Sequence, residues 1–87
     1  MEGARRDEDR EILRLRVMFG AEVRAARVEA GLTQAQLAAR IGRSQRYVSM
    51  IETGSRRLPI EAMVLIMRAL GLELRIGTRR IRPAPRD

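Results

Sequence analysis

The chain has no cysteine and no histidine, and those two absences remove much of the chemistry open to a small protein. Without thiolates there are no disulfides and no cysteine-built metal site. Without imidazole, the commonest metal ligand and the usual proton carrier near neutral pH are both missing. No cofactor and no enzymatic reaction are expected. Tryptophan is absent, and one phenylalanine and one tyrosine are the only aromatic residues. That is too few for the stacking platforms on which single-stranded nucleic acid is held. No apolar run approaches the length of a membrane span. The charged first residues do not read as a secretion signal, so the cytoplasm is the expected compartment. Lysine is absent as well: all 18 basic residues are arginine.

What is present is a short, apolar and strongly cationic chain. Eighty-seven residues make one small domain, near the lower limit for a self-sufficient core, and pairing with a second copy is a common remedy. Apolar residues make up 45% of the chain, which excludes a disordered polymer. The net charge of +7 calls for a polyanionic partner: DNA, RNA or an anionic membrane surface. Each arginine brings a planar fork that grips phosphate or guanine through two hydrogen bonds.

Residues 1–8 are polar and read as a loose N-terminus. From about Asp9 to Ala30, apolar residues recur at Ile12, Leu15, Phe19, Val23 and Ala26, a helical spacing. Gly20 interrupts this stretch, and the alternation of Leu13, Leu15 and Val17 leaves a strand open for its first part. Gly31 supplies a stop. Thr33, with Gln36 three residues on, has the pattern of a capping box for a second helix, whose inner face is Leu37, Ala38 and Ile41. After Gly42, Ser44 caps a third helix running to about Thr53, with Val48 and Ile51 inward, and Gly54 ends it. Pro59 opens a fourth helix that reaches Leu70, and Gly71 closes it. Leu72–Ile76 alternates apolar and charged residues as a strand does, yet a lone strand has no partner in its own chain. Residues 77–87 read as a flexible basic tail. The domain proper is therefore expected over residues 9–76. Glu8, Asp9 and Glu11 lie close together but lack a ligand or base partner, and read as solvated or capping.

Two short capped helices joined across Gly42-Arg43 have the spacing of a helix-turn-helix, in which the second helix enters the major groove of DNA. The outward face of that helix carries Gln45, Arg46, Ser49 and Met50. Glutamine can bond adenine bidentately, arginine guanine, and serine either. Between Thr33 and Ile60 there are five arginines against one acid, Glu52.

Gly31–Ala38 (GLTQAQLA) and Val48–Gly54 (VSMIETG) resemble two signatures of the phage-repressor-type, Xre/Cro-like helix-turn-helix family. Phe19-Gly20, Val23-Arg24 and Arg27 match its run-in, and Leu58–Leu70 its fourth helix. The resemblance spans roughly residues 18–72. It implies an all-α, lambda-repressor-like domain of four or five helices, with a short C-terminal strand that pairs across a dimer. It implies base contacts by Gln45, Arg46, Ser49 and Met50. It implies phosphate contacts by Gln34, Arg43, Arg56 and Arg57, with Ser44 and Tyr47 beside them, and an internal ion pair between Arg27 and Glu52. Tyr47 and Pro59 depart from the family pattern, which is often small at the first and capped by Asp or Ser at the second. The implied function is a repressor or autoregulator that binds a near-palindromic operator as a homodimer.

The run Met63–Met67 is apolar all round a helix and cannot all face one small core. Met63, Ile66, Met67 and Leu70, with Leu72, Leu74 and Ile76, are the expected dimer interface. A short chain of this kind with an apolar segment and basic tail is also similar to HipB-like antitoxins, which bind both DNA and a toxin protein. A binder of RNA or membrane surfaces driven by charge alone is the remaining alternative.

Overall fold

The helical spacing of Ile12, Leu15, Phe19 and Val23 prevails over the local alternation around them. In the computed structural model of the chain, which describes residues 2–85 apart from the side chains of Glu2 and Ala4, one helix, α1, runs Glu2–Glu29. It continues through Gly20 without a break and takes in residues 2–8, where a loose segment was expected. Met1 of that segment, and Arg86 and Asp87 of the expected tail, lie outside the described residues. Three shorter helices follow: α2 (Gln34–Ile41), α3 (Gln45–Thr53) and α4 (Ile60–Ala69). Pro59 caps α4 through backbone geometry alone, since its side chain offers no acceptor.

Each helix contributes a stripe to one core. Phe19 and Val23 come from α1, Leu37, Ala38 and Ile41 from α2, Val48 and Ile51 from α3, and Ile66 and Met67 from α4. Val23 and Leu37 have no exposed surface at all. Truncating a side chain such as Leu37 to alanine costs about 2–5 kcal/mol, a large part of the stability of a domain this small.

Ile66 and Met67 correct the sequence reading. Both were expected at a dimer interface, but α4 turns them onto its own core, at 1% and 5% exposure. The large apolar residues that α4 leaves outward are Ile60, Val64 and Leu65, with Met63 half-buried.

Gly20 has a packing role. A Cβ there would overlap the carbonyl oxygen of Ile51 and come within 2.7 Å of that of Glu52. Glycine thus lets α1 lie directly on the C-terminal backbone of α3. Gly54 faces the same crossing from the other side, 2.9 Å from the Val17 backbone by the same measure.

Beyond that crossing α1 runs free of the core. A 28-residue helix is about 42 Å long, and it accounts for most of the 48 Å length of a molecule only 24 Å and 19 Å across. Ile12 and Leu15, on the expected core stripe, are 53% and 52% exposed.

After Gly71 the chain has no helix or strand up to residue 85. Leu72–Ile76 forms no strand in the single chain, because no neighbouring strand offers a ladder of hydrogen bonds. Leu74 folds back, half-buried, against the core. With Leu15, Met18, Met63, Leu72 and Ile76 it lines an open, mainly apolar groove of about 810 Å³ between α1, α4 and the C-terminal segment.

Candidate nucleic-acid interface

The unit formed by α2, its turn and α3 is held by local hydrogen bonds that the sequence announces. Thr33 Oγ1 accepts from the Gln36 backbone at 3.1 Å, and Gln36 Oε1 accepts from the Thr33 backbone at 2.8 Å, closing the capping box. Gly42 adopts the left-handed conformation (φ 66°), which a side chain would strain. The Arg43 backbone N–H then returns to Ala38 O at 2.9 Å, so the chain reverses within three residues. Ser44 Oγ receives the Tyr47 N–H at 3.1 Å and starts α3.

These constraints set the rotation of α3. Val48 and Ile51 are sealed in the core at 1% and 2% exposure. Gln45 and Arg46 are exposed on the opposite face, and Ser49 and Met50 are half-buried beside them. Arg43, Ser44, Arg56 and Arg57 are exposed around the same end, and Tyr47 is half-buried among them. Gly42, Arg43, Ser44, Arg46, Tyr47, Met50 and Arg56 together line one open cleft. Of the expected contact residues, Arg43, Ser44, Arg46, Tyr47, Met50 and Arg56 thus share one cleft, while Gln34, Gln45, Ser49 and Arg57 are not among its lining.

Gln34, expected on a phosphate, donates from Nε2 to Glu52 Oε1 at 3.1 Å in the free chain. It belongs to a network centred on the Arg27–Glu52 pair. Arg27 Nε donates to Glu52 Oε2 at 2.6 Å and Nη2 to Oε1 at 3.1 Å, a bidentate fork, while Nη1 holds the Leu32 carbonyl at 2.8 Å. The two side chains are 12% and 4% exposed. Burial works against the Glu52 charge. Hydrogen bonds from Arg27 and Gln34, with the positive charges of Arg27 and Arg24, outweigh it and hold the carboxyl below its ordinary range. The bond to Glu52 in turn raises Arg27 above the usual guanidinium value. The network ties the end of α1 and the start of α2 to the last turn of α3. The part played by Arg24 was not legible in the sequence.

One arrangement at the cleft was also missed. Arg43 Cζ lies 5.3 Å and Arg56 Cζ 4.8 Å from the centroid of the Tyr47 ring. Each cation–π contact contributes about 0.5–1 kcal/mol at an exposed site. Two like charges thus gather on one ring. Among the described residues, the side chains of Arg40, Arg43, Arg46, Arg56 and Arg57 make no hydrogen bond or ion pair. The cationic surface is not neutralised from within.

The described residues contain no cluster of acids able to hold a metal, and no helix long and apolar enough to cross a membrane. Residues 23–76, more than half of the chain, match a family described as helix-turn-helix. Among curated proteins the chain is 35% identical over 66 residues to an uncharacterized HTH-type transcriptional regulator, y4dL, of Sinorhizobium fredii; the match covers 76% of this chain and 34% of that protein. The chain thus spans about a third of the length of that relative. Among solved structures it is similar to the clp gene regulator ClgR of Corynebacterium glutamicum, with a TM-score of 0.67 and 32% identity over 69% of this chain and 77% of that one. It is also similar to the restriction-modification controller protein C.AhdI of Aeromonas hydrophila, with a TM-score of 0.62 and 33% identity over 66% of this chain and 83% of that one.

Proposed function

Because the chain belongs to the helix-turn-helix family, we propose that it regulates transcription by binding a specific double-stranded DNA sequence without covalent chemistry, with α3 in the major groove. One observation carries this reading. The inner face of α3 is locked into the core, while Gln45 and Arg46 stand exposed on its outer face, with neither side chain hydrogen-bonded. Gln45, Arg46, Ser49 and Met50 read base edges. Arg43, Ser44, Arg56 and Arg57 hold phosphates on either side, with Tyr47 among them, and Gln34 adds a contact through its second amide hydrogen. The compartment is the cytoplasm, where such DNA lies.

The chain acts as a homodimer on a near-palindromic operator, with half-sites about 34–36 Å apart. The interface is the apolar groove, with Met63, Leu72, Leu74 and Ile76, and Leu70 beside them in sequence, meeting their copies in a second chain. Sequence selection from a random DNA pool, followed by footprinting, tests the reading. A symmetric site with two half-sites one helical turn apart is expected. A pool with no enriched sequence would overturn it. The exposed groove also favours a second reading, an antitoxin that holds a toxin protein there. A chain that stays monomeric alone and co-purifies with a neighbouring gene product would select that reading.

A further inference from the structure

We propose that Tyr47 is a stacking platform that holds Arg43 and Arg56 as a two-pronged clamp for the phosphodiester backbone of DNA. The proposal rests on the regulator reading and goes further, assigning the ring a task that neither base recognition nor core packing requires.

The argument starts from how a guanidinium bonds. Its hydrogen-bond donors lie in its plane, while its faces are apolar enough to rest on a ring. A guanidinium seated over an aromatic ring uses a face and keeps its edge, so its N–H groups stay available for two phosphate oxygens. Arg43 comes from the turn before α3 and Arg56 from the loop after it, yet both Cζ atoms sit over one ring, at 5.3 Å and 4.8 Å. Neither guanidinium group has a hydrogen-bond or ion-pair partner among the described residues. An arginine side chain normally loses much rotamer freedom on binding an anion. Here the ring restricts both before the anion arrives.

The ligand follows from the same features. The cleft is open and lined by Arg46 and Ser44 as well as the clamp. Three guanidinium groups with no internal counter-charge suit a ligand of repeating negative charge rather than a small enclosed anion. Because phosphates carry no sequence information, the clamp strengthens binding to every duplex alike.

Binding of a random-sequence duplex and of the selected operator is measured for Tyr47→Phe and Tyr47→Leu, each also in an Arg43→Ala/Arg56→Ala background. Tyr47→Phe is expected to bind like the unaltered protein, since the ring and not the hydroxyl does the work. Tyr47→Leu is expected to weaken both duplexes about tenfold, the penalty of ordering two arginines only on binding. In the double-alanine background Tyr47→Leu is expected to change nothing further. Unchanged binding by Tyr47→Leu overturns the proposal. So does equal damage from Tyr47→Phe, or a Tyr47→Leu effect that persists without the two arginines. Should Tyr47→Leu fail to fold, the Nε–H resonances of Arg43 and Arg56 in the unaltered protein decide: both shift together on adding random duplex if the clamp is real, and a shift of only one refutes it. Equal affinity for operator and random DNA would sink the regulator reading and leave the clamp standing. Failure to bind any duplex would sink both.

Discussion

Glu52 ties the last turn of α3 to α1 and α2 through Arg27 and Gln34. Its carboxyl is held below its ordinary range, so it binds a proton more readily in the unfolded chain than in the folded one. The stability it contributes is present above about pH 4.5, the unfolded value, and is lost as pH falls through the lowered folded value. Acid titration of the melting temperature should therefore show a drop below that point, and Glu52→Gln should flatten it. At neutral pH Glu52→Gln leaves Arg27 without its anionic partner and should cost about 3 kcal/mol, the low end for breaking a buried pair, because Arg27 keeps some solvent. At the exposed end of the same helix the consequences are of another kind. Arg46→Ala should leave the melting temperature unchanged, yet weaken operator binding by about 1–3 kcal/mol and relax preference at one base pair, read by competition among operator variants.

At the scale of elements, Gly20→Ala separates two opposing effects. Alanine is favoured over glycine inside a helix by about 1 kcal/mol. Here its Cβ meets the rigid carbonyls of Ile51 and Glu52, and overpacking of this kind costs about 1–3 kcal/mol. The second effect should prevail, and calorimetry should show a lowered melting temperature. A rise would mean that the crossing of α1 and α3 is looser than drawn. The same residue shows what the sequence could and could not tell. Capping is local: Thr33 with Gln36, Ser44 with the Tyr47 backbone, and glycine at each stop, so α2, α3 and most of α4 were legible. A glycine within a helix has two explanations, a break or a close neighbour, and only a contact distant in sequence distinguishes them. The exposed sides of Ile12 and Leu15 were illegible for the same reason: periodicity gives the face of a helix, not where its partner ends. The Arg43–Tyr47–Arg56 cluster joins a turn, a helix and a loop, and no spacing rule encodes it. The outward face of α3, by contrast, followed from the spacing of Val48 and Ile51.

At the scale of the whole molecule, the exposed Ile76 and Leu72, beside half-buried Leu74 and Met63, leave an apolar groove that a folded monomer does not close. If this groove is the dimer interface, Ile76→Glu and Leu72→Glu should shift the mass in light scattering from two chains to one, while leaving the helical circular dichroism intact. Operator binding should then weaken far more than binding to a single half-site, since two linked contacts act cooperatively. Persistence of the dimer in both variants would move the interface elsewhere, the exposed first half of α1 being the next surface to test.

All four helices end alike, with backbone N–H groups of Gly31 and Leu32, Gly42 and Arg43, Gly54 and Ser55, and Gly71 and Leu72 turned back to the last carbonyls. Helix ends can instead recruit arginine side chains for that duty. Because peptide groups seal these termini, none of the five guanidinium groups from Arg40 to Arg57 is tied up in a hydrogen bond or ion pair among the described residues, and Arg43 and Arg56 rest only on the Tyr47 ring. A polyanion arriving at that face displaces small ions rather than prising apart internal bonds, so docking at this surface demands little rearrangement of the protein itself.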